Sequence, residues 1–300
     1  MAALLLLLVC LATGVLVARL AKPSPTLAQS LNWWVLNVAF SALVLHLIPQ
    51  LEPEWHLWFL VVSMWLVFVG AWLFFVTVGR ALHWARARIG ALTLVCGLGN
   101  TSFIGFPLIE ALRGQEGLKL ALVADQAGTF IMLATGGTIV AALYSGGHVD
   151  SRTIARKVLY FPPFVCLLLG SMVGRAGGWP EAIDSVLARI GATLVPIALF
   201  SVGLQLRLHF GRGQLRAIVL GLGWKLVLAP LVVFAVGRLA GVGGPVLVIG
   251  VLQAAMAPMI SAAILADQNR LEPQLANTVL GTGILLSFLT VPLIDHLLGA

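Results

Sequence analysis

Charge is what this sequence lacks most. Only 10% of its 300 residues are Asp, Glu, Lys or Arg, against 60% hydrophobic. A soluble domain of this size needs charge to cover its surface, so this composition excludes one. Acid is scarcer than base: 11 carboxylates face 18 Lys and Arg, a formal net charge of +7. The surplus forms no basic arm or face, so nucleic acid is not an expected partner. Cysteine is scarce too. Cys10, Cys96 and Cys166 lie in apolar segments at unrelated spacing, which gives neither a disulfide framework nor a zinc site. The six histidines, His148 and His209 among them, lie mostly at segment ends without ligand spacing. HExxH, GxSxG and Walker motifs are missing, so neither enzyme chemistry nor an ATP site is expected. No cofactor or metal is called for.

What fills the chain instead is long apolar runs. At roughly 20 residues per span, ten segments qualify, near 2–18, 31–50, 57–79, 89–112, 118–143, 157–175, 183–206, 215–237, 245–266 and 275–298. The expected fold class is an all-α polytopic membrane protein with ten transmembrane helices. Odd-numbered connections hold twelve of the 18 Lys and Arg, including Arg88, Arg152, Arg207 and Arg212, and even-numbered ones hold five. Positive loops stay in the cytoplasm, which predicts both termini outside. Residues 1–17 have no charged region ahead of their apolar run and read as a first span rather than a cleaved leader.

The chain also repeats itself weakly at half its length. Pro107 and Pro258 stand 151 residues apart, while Ser41 with Pro196 and Thr135 with Thr290 are each 155 apart in similar contexts. Five spans is an odd number, so a second half built like the first enters from the opposite face. The expected organisation is a first five-helix repeat over 1–143, a cytoplasmic linker over 144–156 and an inverted second repeat over 157–300. Such 5+5 inverted repeats hold substrate at the midplane, between broken helices. Trp33, Trp34, Trp55, Trp58 and Trp179 fall where an interfacial belt would lie. Trp65 and Trp72 sit deep in the third span and read as packing residues. Gly170, Gly174 and Gly178 recur every fourth position of the sixth span, a face suited to close helix contact within the chain or in a dimer.

The fourth and ninth spans carry the chemistry. Pro107 has no N–H and crowds the carbonyl of Phe103. With Gly105 it predicts unwinding over 99–106 and a half-helix that starts at Pro107. Pro258 does the same in the ninth span. Two positive half-helix ends then converge at the membrane centre, where free N–H groups suit an anion. Asn100, Thr101, Ser102 and Gln253 add neutral donors and acceptors beside the breaks. The plainer alternative is two kinked helices whose polar residues bond to neighbours. Lys225 lies mid-way along the eighth span, where a charge costs ~3 kcal/mol and points to function. It is read as countering an anionic substrate, pairing with an acid, or staying neutral and structural. Asp125, two turns into the fifth span, either approaches Lys225, carries a proton, ligates a cation, or is hydrated from outside. Asp267, Arg270 and Glu272 read as loop charge.

These residues carry a resemblance. The run Gly99-Asn100-Thr101-Ser102-Phe103-Ile104-Gly105-Phe106-Pro107-Leu108 resembles the fourth-span signature of the auxin efflux carrier family, in its bacterial permease branch. Ala254-Ala255-Met256-Ala257-Pro258 resembles the ninth-span element, the run from Thr193 to Leu206 the seventh, and Trp224-Lys225-Leu226-Val227-Leu228-Ala229-Pro230 the eighth. Ser41 departs from the pattern, since the family usually has proline there. The resemblance implies crossed broken helices 4 and 9, as in sodium/proton antiporters and bile-acid symporters. It further implies a scaffold of helices 1, 2, 6 and 7, often dimeric, and an elevator-like transport domain of helices 3–5 and 8–10. Family substrates are small organic anions such as auxin, malate and malonate. Carried over, the substrate-site residues are Asn100, Thr101, Pro107, Gln253, Met256 and Pro258, with Lys225 and Asp125 as charged neighbours and Asp125 as the ion- or proton-coupling group.

The leading expectation is a secondary transporter of a small carboxylate anion in a bacterial inner membrane, coupled to protons or to the membrane potential. One alternative is a sodium or cation/proton antiporter on the same architecture. Another is a non-transporting membrane sensor or embedded enzyme. The expected partners are the anion, a proton or sodium ion, the lipid bilayer and, through the scaffold helices, a second copy.

Overall fold

In the computed structural model, residues 2–52, 54–147, 150–206, 211 and 213–299 are described. Arg207 and Arg212, counted above among the inward charges, lie outside them, as do His148 and His209. The helices are α1 (Ala2–Leu20), α2 (Pro25–Trp34), α3 (Phe40–Leu47), α4 (Trp58–Ala81), α5 (Arg86–Gly97), α6 (Phe106–Val123), α7 (Thr138–Ser145), α8 (Ser151–Leu159), α9 (Pro162–Arg175), α10 (Glu181–Gly191), α11 (Leu194–Gln205), α12 (Leu215–Gly223), α13 (Ala229–Leu239), α14 (Gly244–Ala254), α15 (Ile260–Gln268) and α16 (Pro273–Gly299). Among the described residues, five wider π-helical segments interrupt them: Val35–Ala39, Thr101–Gly105, Ala124–Phe130, Leu133–Gly137 and Trp224–Leu228.

The protein is an all-helical membrane protein. Among the described residues, six continuous helical runs are long and apolar enough to cross a bilayer: Thr26–Gln50, Trp55–Ala81, Thr101–Ser145, Glu181–Gln205, Leu215–Leu239 and Pro273–Gly299. Shorter apolar helices occupy Leu5–Leu20, Pro162–Arg175 and Gly244–Ala254. Two features separate this pattern from ten equal segments. Gly114, at φ 65° and ψ −163°, breaks the 45-residue run Thr101–Ser145 into two arms, a conformation open to glycine and strained for other residues. In addition, α5 and α14 have 12 and 11 residues, about 18 and 16 Å of helix against a ~30 Å hydrocarbon layer. An extended segment follows α5 directly and α14 after a short turn.

The described chain divides into two compact units. The first comprises Met1–Glu54, Ser102–Leu122 and Arg156–Leu206. Here α1 packs on α11 through a glycine pair. A Cβ on Gly14 would strike the Phe200 carbonyl, and one on Gly203 would strike that of Leu11. Gly170 and Gly174 serve packing inside the chain: a Cβ on Gly174 would come within 2.8 Å of the Pro49 carbonyl oxygen, and Gly170 faces Ile48. Gly178 belongs to a turn at φ 89°. His46 Nδ1 and Asp184 Oδ1 lie 2.7 Å apart, Trp179 donates to the Leu45 carbonyl, and Phe40 meets Phe106 edge-on.

The second unit comprises Trp55–Thr101, Val123–Ala155 and Arg207–Ala300. Its core is apolar along α4, where Phe59, Leu60 and Phe75 are fully buried. Trp224 stacks on Phe74 and fills the space left by Gly70. Trp65 and Trp72 are not pure packing residues. Their rings stay 41% and 36% exposed while their indole N–H groups donate to the Gly128 carbonyl and the Tyr144 hydroxyl. Glu272 is likewise no loose loop charge. Arg88 Nε lies 3.0 and 3.1 Å from its two carboxylate oxygens, tying the start of α5 to the loop before α16.

Candidate functional site

At the end of α5 the chain becomes extended, because Gly97 and Gly99 flank Leu98 and favour neither helix nor any side-chain packing that would hold one. The chain following α14 does the same, and the two segments meet as a single antiparallel pair, Gly99 opposite Pro258. Asn100 N–H donates to the Ala257 carbonyl at 2.7 Å, and Met259 N–H donates to the Leu98 carbonyl at 3.1 Å. Each break therefore satisfies backbone groups freed by the other, as buried polar backbone requires. Gly99 and Pro258 form a pair whose own N–H and C=O point away from each other. Pro258 consequently loses nothing at the crossing by having no N–H.

This corrects the expected position of both breaks. The first lies at 98–100, and helix resumes at Thr101 rather than at Pro107. The second half-helix begins at Ile260 and not at Pro258. Pro107 instead stands two residues beyond the π segment Thr101–Gly105. A turn with wider i→i+5 bonding absorbs the missing donor without ending the helix. Pro230 stands two residues beyond the π segment Trp224–Leu228 in the same way.

Around the crossing the second unit gathers polar side chains that are almost wholly buried. Asn100, Thr101, Asp125, Gln126, Lys225 and Gln253 are each at most 2% exposed. The Thr101 hydroxyl donates to Asp125 Oδ1, and Gln126 Nε2 donates to Asp125 Oδ2 at 2.7 Å. Asp125 is thus held by protein donors rather than hydrated from one side. Gln253 Nε2 makes a long 3.5 Å contact with the Thr101 carbonyl. Lys225 Nζ donates to the Ala254 carbonyl at 2.9 Å, and a Cβ on Gly99 would lie 3.0 Å from that nitrogen. Ala254 is the last residue of α14. The ammonium therefore sits at the negative end of a helix dipole and fills a carbonyl the break leaves open. Its hydrogen bond goes to this carbonyl and not to a carboxylate.

Of the residues singled out in the sequence, Asn100, Thr101, Asp125, Lys225, Gln253, Met256 and Pro258 fall in this one unit. Met256, fully buried, occupies the turn between α14 and the crossing. Pro107 and Ser102 belong to the other unit. Gln126 and Thr129 had escaped notice. Gln126 Oε1 and Thr129 Oγ1 are buried without a hydrogen-bond partner among the described residues. An amide directly after a carboxylate in an apolar run was the available signal. Three π segments carry site residues: Thr101 in one, Asp125, Gln126 and Thr129 in another, Lys225 in a third. Such wide turns recur at functional sites, yet composition does not announce them.

Comparison with known proteins gives the family. An uncharacterized transporter of Methanothermobacter thermautotrophicus is 29% identical over 217 residues, 70% of either chain. An uncharacterized transporter of Methanocaldococcus jannaschii is 26% identical over 168 residues, covering 52% of this chain and 51% of its own. The membrane transport protein family matches residues 1–294. The chain belongs to that family of membrane transporters, the family of the auxin efflux carriers, and is not an enzyme.

Proposed function

We propose that this transporter is a secondary carrier of a small organic carboxylate anion, with its substrate held beside the crossing. The observation that carries the reading is the pair of extended segments at 98–100 and 257–259, which exchange backbone hydrogen bonds among buried polar side chains. A helix that restarts inside a membrane presents unpaired N–H groups, and these attract a negative group. In this reading Asn100, Thr101, Gln253, Met256 and Pro258 line the anion site. Pro107 shapes the turn that presents Thr101. Lys225 supplies fixed positive charge, and Asp125 is the proton-coupling group. The finer architecture we propose is ten spans in a 5+5 inverted repeat in the plasma membrane. Helices 1, 2, 6 and 7 form a scaffold capable of pairing with a second copy, while helices 3–5 and 8–10 move as an elevator. The division of the chain into one unit holding α1–α3 and α9–α11 and another holding α4, α5 and α12–α16 fits that assignment for every helix but α6, nearly all of which falls in the first unit.

One observation favours a second reading, cation/proton antiport. Asp125, Gln126 Oε1 and Thr129 Oγ1 bring buried oxygen atoms to one short segment, and oxygen donors suit a hard cation. Counterflow in proteoliposomes separates the two. Preloaded malate, malonate or indole acetate is expected to drive uptake of its labelled counterpart without sodium. Sodium-dependent proton flux with no carboxylate counterflow would establish the second reading. Neither flux would leave a membrane protein that does not transport these solutes.

A further inference from the structure

We infer that α8 is an in-plane membrane-surface helix that binds anionic phospholipid headgroups. Its sequence, SRTIARKVL, contains no acid. At 100° per residue, Arg152 and Arg156 fall on one face, while Ile154, Ala155, Val158 and Leu159 fall on the other. Both arginines are exposed. Ile154 and Val158 are only partly covered, and Leu159 and the following Tyr160 are 60% and 77% exposed. The protein leaves this apolar face open.

Connectivity supplies what covers it. The run Thr101–Ser145 is apolar enough to cross a membrane and ends with α7, six residues before α8. The apolar helix α9 begins at Pro162, three residues after α8 ends. A nine-residue helix rises only about 14 Å, too little to cross the hydrocarbon. Its two arginines forbid it from lying within the hydrocarbon. A short amphipathic helix tethered at both ends to apolar helices lies in the interface, its apolar face among the acyl chains and its basic face among the headgroups.

The charges select the lipid. Arg152 and Arg156 are joined in sequence by Lys157, and the single nearby acid, Asp150, accepts from the Arg152 backbone N–H. Arg156 holds its guanidinium 6.0 Å from the centre of the Tyr160 ring. That contact fixes a planar donor fork beside an aromatic ring of the kind that settles at headgroup level. Guanidinium matches phosphate bidentately, and three basic residues against one acid over 150–157 favour lipids of net negative charge. Phosphatidylglycerol-type headgroups meet both requirements, whereas zwitterionic choline headgroups meet only the first. The chain passes between the two compact units within α8, after Ala155. Lipid therefore engages the helix at a covalent link between them.

Hydrogen exchange of the full-length protein tests this in nanodiscs of phosphatidylcholine alone and with roughly a third phosphatidylglycerol. The amides of 151–160 are expected to exchange on the order of tenfold more slowly with the anionic lipid, from two arginines near a negative surface. Exchange in α4 serves as the reference for an intact fold. The double variant Arg152→Gln/Arg156→Gln is expected to lose the lipid-dependent slowing while keeping the phosphatidylcholine rate. Ile154→Gln/Leu159→Gln is expected to exchange faster in both lipids. Equal rates for the natural protein in the two lipids would overturn the inference. Undiminished slowing in the double arginine variant would do the same, as would equal slowing by inorganic phosphate over phosphatidylcholine.

Discussion

The two segments that meet at the crossing match in hydrogen bonding and differ in everything else. Across the crossing, residues 98–100 and 257–259 each give one N–H and receive one. Yet the first has glycine at its centre, with its proline seven residues beyond Asn100, while the second has proline at its centre and no glycine. They are also anchored by opposite charges. The first is tied to Asp125 through the Thr101 hydroxyl, and the second to Lys225 through the Ala254 carbonyl. An extended break in a membrane therefore does not require proline. It requires a partner strand for its backbone and a buried charge of the right sign at the helix end it exposes. The N-terminal side of a resumed helix is matched by Asp125 and the C-terminal side of α14 by Lys225.

The most disruptive test removes the charge from one side only. In Lys225→Met the Ala254 carbonyl is left buried and unpaired, which costs ~1–3 kcal/mol, and Asp125 loses its counterbalancing charge. We expect a lower thermal midpoint for the purified protein and carboxylate counterflow at background. Asp125→Asn keeps an acceptor for Thr101 but sets its amide against that of Gln126, so a smaller loss of stability is expected. If Lys225→Met kept full counterflow, the lysine would have no part in the site, and the two anchors would not be counterparts.

Space at the crossing gives the next largest effect, and again the two arms differ. A Cβ on Gly283 of α16 would run into the Pro258 ring, which is rigid, so Gly283→Ala is expected to cost ~1–3 kcal/mol by overpacking. A Cβ on Gly99 crowds the flexible end of Lys225 at 3.0 Å and otherwise makes ordinary contacts, with the Gln253 carbonyl at 3.4 Å and Thr101 at 3.5 Å. Gly99→Ala should fold nearly normally while disturbing the Lys225 hydrogen bond, and so should weaken anion binding more than stability. Thermal unfolding beside equilibrium binding separates the two variants. Equal stability losses would show that Pro258 yields as easily as the lysine.

The prolines sharpen the comparison further. Pro258 needs no N–H where it stands, so Pro258→Ala should leave the crossing intact and lower stability by well under ~1 kcal/mol through greater freedom of the unfolded chain. Pro107→Ala restores a donor two residues past a π segment. That lets Thr101–Gly105 relax toward ordinary α-helix and rotates Thr101 away from Asp125. About tenfold weaker binding is expected, equivalent to ~1.4 kcal/mol, with little change in unfolding temperature. If the two alanine variants bound anion equally well, Pro107 would have no influence on the site.

Much of this was legible in the chain, for physical reasons. Apolar length announces membrane helices because hydrocarbon tolerates little else. A lysine or aspartate in mid-span announces itself by its cost, and Lys225 and Asp125 are indeed both buried beside the crossing. The location of the breaks was misread because proline was taken as their cause. Backbone pairing between residues 157 to 161 apart in the chain leaves no local mark, and the Ala254 carbonyl has no side chain to betray it. Glycine was legible only in part. Gly170 and Gly174 drew attention by their spacing, whereas the tighter pair, Gly14 and Gly203, has no period within either helix. Their relation exists only once α1 lies against α11.

Ser41 offers the smallest and most specific test. Pro107 and Pro230 each stand two residues past a π segment, and Ser41 holds the same place after Val35–Ala39. The wide turn thus forms where this chain has serine. A proline therefore cannot be the origin of that turn, although the turn is a place where proline fits. Ser41→Pro should fold and insert normally, with a stability change below ~1 kcal/mol, because the widened turn already forgoes ordinary i→i+4 bonding upstream. Leu43→Pro, two residues later in regular α3, should cost ~3 kcal/mol or more by breaking that helix. Thermal unfolding of the two variants in the same detergent decides the point. Similar damage from both would mean that the π segment confers no tolerance, and that the recurring offset of Pro107 and Pro230 has another cause.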